Sequence, residues 1–196
     1  MKKNFVISVL MTIATTVLLG VIYPLVVTGF AQVIFPHKAN GQLIQKDGRI
    51  VGSSIIGQGF SGTAYFHSRP SAAGNGYDAA NSAGSNLGPT NQKLIDRVKG
   101  DVATAQADSP GTPVPIDLVT TSASGFDPHI TPASAEFQLQ RIARERGATA
   151  DQLRSLVEKH TEGRQLGILG EPRVNVLELN LELDERLPTK KQARLD

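Results

Sequence analysis

The sequence predicts one N-terminal transmembrane helix followed by a mixed α+β extracytoplasmic domain rich in ordered loops. Three observations predict it. An uncharged, apolar run extends from Phe5 to Phe35. The remainder of the 196-residue chain, about 160 residues, is long enough for one domain with its own core. Within that remainder, strand-like and helix-like patterns are separated by long glycine- and proline-rich stretches, concentrated between Gly41 and Pro132.

The apolar run exceeds the roughly 20 helical residues that cross a bilayer. The span is placed at about 5–27, with an interfacial extension to 35 that ends at Pro36-His37-Lys38. Its length exceeds the roughly 7–15 residues of a signal-peptide core, which favours an anchor over a cleaved leader. Pro24 interrupts the run after Tyr23, and adjacent membrane helices tolerate such breaks. Lys2 and Lys3 precede the span, so the positive-inside rule keeps the N-terminus cytoplasmic and puts the C-terminal domain in the periplasm. Ser8, Thr12 and Gly20 lie near one face, a pattern that lets membrane helices approach closely. With Pro24, they are candidate partner-binding residues.

Residues 36–188 form the expected periplasmic domain, and 189–196 a charged tail, expected to be disordered. After the turn signal Asn40-Gly41, two short segments flank Asp47-Gly48 as a β-hairpin. Ile55-Ile56 continues extended towards Phe60. Residues 72–89 are Gly, Ala, Ser and Asn, which fits either a flexible linker or an ordered loop of specific turns. Thr90-Asn91 caps a helix to about Ala107 with Ile95, Val98 and Val102 on its apolar face, and Val114–Val119 reads as an edge strand. Pro132 opens a helix ended by Gly147, and Thr149 caps the next. Val174–Leu187 alternates like a strand, but Asn175 followed by Glu178 resembles a capping box, and helix is preferred.

The composition excludes several chemistries. There are no cysteines, hence no disulfide, zinc–thiolate or thiol nucleophile, and the net charge of +2 is dispersed rather than gathered into a nucleic-acid footprint. His37, His67, His129 and His160 have no metal-ligand spacing, and nucleophile-elbow and phosphate-loop motifs are absent. Asp127-Pro128-His129 has the look of a catalytic pair, yet an Asx-type turn ahead of the Pro132 helix accounts for Asp127. Tyr65-Phe66-His67-Ser68-Arg69 is the densest aromatic and polar cluster. Tyr65, Phe66 and Arg69 either fill and pair with a partner or anchor their loop locally, with Arg69 on a carbonyl or Asp78.

A series of ordered motifs carries a resemblance. It runs from Tyr23-Pro24 and Asn40-Gly41-x-Leu43-Ile44 through Val51-Gly52-Ser53-x-x-Ile56-Gly57-Gln58 and Tyr65-Phe66-His67-x-Arg69-Pro70-Ser71. It continues with Gly84-Ser85-Asn86-Leu87-Gly88-Pro89, Val114-Pro115-x-Asp117-Leu118-Val119-Thr120 and Ser124-Gly125-x-Asp127-Pro128-His129-Ile130, and ends with Gly170-Glu171-Pro172-Arg173-Val174-Asn175-Val176-Leu177-x-Leu179-Asn180. This order resembles the C subunit of the Kdp-type potassium-transporting ATPase over nearly the whole chain. The resemblance implies a non-catalytic accessory subunit of the bacterial inner membrane. Its partners would be a channel-like A subunit, a P-type ATPase B subunit and a small F subunit. It would have no intrinsic cofactor, ATP and potassium being handled by the complex, and a role as a catalytic chaperone raising ATP affinity is also implied. The competing readings are an anchored periplasmic hydrolase using Ser124, Asp127 and His129, and a cytoplasmic nucleotide-binding module.

Overall fold

The structure is a computed structural model that describes residues 1–189. The charged tail therefore lies, from residue 190 on, outside the described residues. The chain divides into two compact units after Ser53.

In the first unit a single apolar helical run covers Lys2–Ile34, 33 residues. At about 1.5 Å per residue it is some 50 Å long, against a hydrocarbon core of about 30 Å. It consists of α1 (Lys2–Val17), a π-helical turn (Leu18–Ile22) and α2 (Tyr23–Ile34), and none of its residues is buried within the chain. Pro24 explains the π turn. A proline cannot donate to the carbonyl four residues back and its ring crowds that carbonyl. Widening the preceding turn lets the Tyr23 amide reach the Leu18 carbonyl instead. The run ends at Phe35, before a short helical turn, α3 (Pro36–Ala39).

The hairpin forms as the Asp-Gly signal predicts: β1 (Leu43–Lys46) pairs antiparallel with β2 (Arg49–Ser53). Asp47 and Gly48 both take positive φ, 52° and 73°, the two-residue turn whose twist matches that of the strands. The Ser53 hydroxyl donates to the Gly41 carbonyl at 2.6 Å and closes the base.

The second unit is helical with one small sheet. Helix α4 (Gln92–Asp108) starts at Asn91, whose side chain accepts from the Lys93 amide. Helix α5 (Pro132–Arg146) ends on Gly147 at φ 67°, and α6 (Ala150–Lys159) opens with a complete capping box of Thr149 and Gln152. Helix α7 (Val176–Arg186) is preceded by a strand, so Val174 belongs to the sheet and the helix begins two residues later. Three short strands, β3 (His129–Ile130), β4 (Thr161–Glu162) and β5 (Arg173–Asn175), pair antiparallel in the order β3-β5-β4. The core gathers Phe66, Ile130, Leu139, Ile142, Leu153, Val174, Leu179 and Leu183 from the sheet, α5, α6, α7 and one long loop.

Two expectations need correction. Val114–Val119 is not an edge strand; Ile116–Leu118 forms a 3₁₀ turn. The cause is Asp117, which is buried and accepts from the Thr131 amide at 2.7 Å and from the hydroxyls of Thr131 and Ser134. A side chain that reaches over to the start of α5 needs a turn beneath it, not an extended segment. Extended structure at Ile55-Ile56 is likewise broken, because Ser54 and Ile55 turn before Ile56.

Candidate functional site

The segment from Thr63 to Ser71 has no regular secondary structure, yet it contributes the fully buried Phe66 to the core of the second unit. Polar side chains of α5 and α7 hold its backbone. The Phe66 amide donates to Asn180 Oδ1 and the Phe66 carbonyl accepts from Asn180 Nδ2, both at 2.9 Å. Gln138 does the same for His67, accepting from its amide at 2.7 Å and donating to its carbonyl at 3.1 Å. Arg141 donates to the carbonyls of Thr63 and Tyr65, and Arg146 donates through Nε to the Ala64 carbonyl at 2.7 Å. Carboxamides thus replace the partner strand that an extended segment would otherwise need. These buried polar groups are satisfied, as burial requires.

Tyr65 and Phe66 face inwards. Phe66 is wholly enclosed in the core. The Tyr65 ring lies under the Arg146 guanidinium at 4.8 Å, and its hydroxyl donates to Asp184 at 3.1 Å. Arg69 pairs with Asp127 at 3.0 Å and also reaches the carbonyl and hydroxyl of Thr120. Asp78, the alternative considered from sequence, accepts instead from Asn81 and the Ala80 amide.

Asp127 forms the anticipated Asx turn, its second oxygen accepting from the His129 amide at 3.0 Å. Burial pushes the Asp127 carboxyl up, but the bonds from the His129 ring and amide and from Arg69 outweigh it, leaving the group below its ordinary value. Ser124 Oγ is taken by the Phe126 amide. Asp127 is thus bonded to a guanidinium and a turn amide rather than poised as a base.

The 72–89 stretch is an ordered loop. Tyr77 donates to the Arg69 carbonyl at 2.6 Å, Ser82 to the Ser124 carbonyl at 2.9 Å, and Ala73 is fully buried against Gly125. A Cβ at Gly125 would stand 2.6 Å from that of Ala73, so this crossing requires glycine. Between this loop, α4 and α5 lies an open cleft of about 470 Å³ whose walls include Phe60, His67, Arg69, Tyr77, Asp108 and Phe137. Burial, then the Arg141 charge, push the His67 imidazole below its usual value, and its Nε2 lies 3.0 Å from the Gly62 carbonyl. Among the described residues no group of three His, Asp or Glu could hold a metal ion.

In the apolar helix the hydroxyls of Ser8, Thr12 and Thr15 donate to carbonyls one turn back, at 2.9, 2.9 and 2.8 Å. Their donors are therefore already satisfied, and what they present outwards is small size. A Cβ at Gly20 would meet only Thr16, at 3.8 Å, so nothing within the chain demands glycine there.

Residues 5–185 match the family model of KdpC, described as the K+-transporting ATPase c chain. The chain belongs to this family. Its relatives include the potassium-transporting ATPase KdpC subunit of Koribacter versatilis, 68% identical with 96% of this chain and 97% of that protein covered. KdpC subunits of Methylorubrum extorquens and Rhodospirillum rubrum are 55% and 56% identical, covering 90% and 89% of this chain and 94% and 92% of those proteins. The motifs that carry the resemblance to KdpC are, in the structure, the hairpin, the 65–71 segment anchored by buried Phe66, the Asp127 turn and strand β5 with its cap.

Of the polar residues that support this segment, Gln138, Arg141 and Arg146 were missed by sequence reasoning, while Asn180 closed the last of the ordered motifs but was given no role. Their signal was present: Gln138 and Arg146 share the apolar stripe of α5 with Ala135, Leu139 and Ile142, and Asn180 stands among the leucines of α7. A polar residue on an apolar stripe announces a buried partner.

Proposed function

We propose that this KdpC chain is a non-catalytic accessory subunit of a high-affinity, ATP-driven potassium-uptake complex. It stabilises the assembly of the channel-like A subunit, the P-type ATPase B subunit and the small F subunit. The observation that carries the reading, beside family membership, is the apolar helix of 33 residues, none buried within the chain. Such a surface is stable only in lipid or against other apolar helices, and Ser8, Thr12, Gly20 and the Pro24 turn are the candidate docking positions. The bonding of Asp127 and Ser124 speaks against the hydrolase reading.

In this reading Lys2 and Lys3 stay in the cytoplasm and the second unit stands in the periplasm of the inner-membrane complex. ATP and potassium are handled by the complex. A chaperone-like increase in ATP affinity is then transmitted through the membrane subunits as a coupling between distant sites, not by contact with nucleotide. A periplasm-dependent reporter fused after Asp196 should be active and a cytoplasm-dependent one silent. The reverse pattern refutes the topology and restores the nucleotide-binding reading.

A further inference from the structure

Between β4 and β5 the chain makes a tight excursion over residues 163–169, which none of the ordered sequence motifs includes. Gln165 and Leu169 exchange amide–carbonyl bonds, both at 2.9 Å, and the Gly167 amide donates to the Arg164 carbonyl at 3.1 Å. The turn is thus built by its own backbone. At its tip three large aliphatic side chains face solvent: Leu166 is 89% exposed, Ile168 75% and Leu169 54%. They belong to no core.

Leu166 also has φ 54°, in the left-handed region, next to Gly167 at 78°. Glycine or asparagine takes that conformation readily, and leucine does not. A leucine held there, nearly fully solvated, serves neither the backbone nor the interior of the second unit. Strain of this kind is retained where the surroundings and a task outside the fold require it, and clustered exposed aliphatic groups mark interaction sites.

The charges around the tip choose the occupant. Arg164 is closed on both oxygens of Glu171, at 2.8 and 2.6 Å, and Arg173 is closed on Glu162 at 2.7 Å. The knob is therefore electrically neutral, and its complement is an uncharged, apolar surface. Segments that settle into lipid headgroups carry unpaired Lys or Arg with aromatic residues, and this loop has neither. Lipid also rewards apolar area regardless of shape, whereas a fixed, strained turn gains by fitting a pocket that is already formed.

We infer that Leu166, Ile168 and Leu169 form a preorganised knob that docks into an uncharged apolar pocket on another protein subunit of the membrane complex. The inference rests on the proposed role as a subunit. The test uses the full chain, co-expressed with the other Kdp subunits and captured in detergent through a tag on the ATPase subunit. Leu166→Gly combined with Ile168→Ser should lower the retained chain at least tenfold, while the melting temperature of the variant chain alone stays at or above the wild-type value. Independently, Ile168→Cys gives a single labelling site, since the chain has no cysteine. An environment-sensitive thiol probe there should shift to the blue in the complex but not with the chain alone in phosphatidylethanolamine–phosphatidylglycerol vesicles. An equal shift in those vesicles makes lipid the occupant and overturns the inference. So does wild-type retention of the double variant with no probe shift. If the wild-type chain itself is not captured, the subunit reading falls, and the knob with it.

Discussion

Single residues in the second unit are held by charge and burial together, and His67 shows the consequence. Its imidazole lies beside Arg141, and burial comes first in lowering its proton affinity. Because the folded value is depressed, the unfolded chain binds more protons between that value and the ordinary 6.5. The stability contributed by neutral His67 is therefore fully present above about pH 6.5 and is lost as the pH falls below it. Asp127 adds a second loss at lower pH, since its carboxyl is held below the ordinary 3.8 and must be protonated on acidification. Denaturation of the full chain in detergent should show stability falling from pH 7.5 to 5. His67→Gln, which keeps a donor for the Gly62 carbonyl, should flatten that slope while costing about 1 kcal/mol at pH 8. A slope unchanged in the variant would assign the acid loss to another group. Phe66 belongs to the same scale: it is fully enclosed, so truncating it opens a cavity and reports on the core rather than on a partner.

Elements in this chain begin where a side chain supplies the missing partner. Asn175 does two such tasks. Its Oδ1 accepts from the Glu178 amide at 3.1 Å, capping α7, and its Nδ2 donates to the Ser54 carbonyl at 2.7 Å. Asn175→Ala loses a cap and leaves a half-buried carbonyl without its donor, together about 2–4 kcal/mol. Asn175→Asp keeps the capping oxygen and loses only the donor, so its stability should fall between the two, as chemical denaturation measures. Equal losses in both variants would deny the cap any weight. The cap was legible because Asn175 and Glu178 stand at capping-box spacing, and so were the Asn91 and Thr149 starts, the Gly147 stop and the Asp-Gly turn. These are local signals that need no distant neighbour. The strands β3 and β4 were not legible, since two residues cannot show an alternation. The turn at Ile116–Leu118 depends on Asp117 reaching Thr131, fourteen residues away. The order of the 72–89 loop depends on Gly125 meeting Ala73, and composition carries neither fact. At the candidate site, sequence picked out Arg69 and Asp127 but not their pairing, because that pairing spans 58 residues.

The whole molecule poses the question of why its apolar helix is built as it is. A tether needs only about 20 apolar residues, yet the helical run here is 33 residues long and widens into a π turn ahead of Pro24. The hydroxyls of Ser8, Thr12 and Thr15 are already bonded within the helix, so they gain little by finding acceptors on a neighbour. What remains for a partner is shape: Ser8, Thr12 and Gly20 are places where another backbone can come close, and a Cβ at Gly20 would meet only Thr16. In lipid, where the hydrophobic effect does not drive helices together, such close approach is the main source of association. Replacing the whole run by an unrelated apolar helix of equal length should therefore leave insertion intact but loosen the complex, with less chain retained on the tagged ATPase subunit in detergent and slower potassium uptake. Gly20→Leu should do the same in part, by holding the backbones apart, without changing the amount of chain in the membrane. Full retention and uptake with the foreign helix would mean that the second unit alone carries the binding, and the run would then be an anchor whose π turn has no part in assembly.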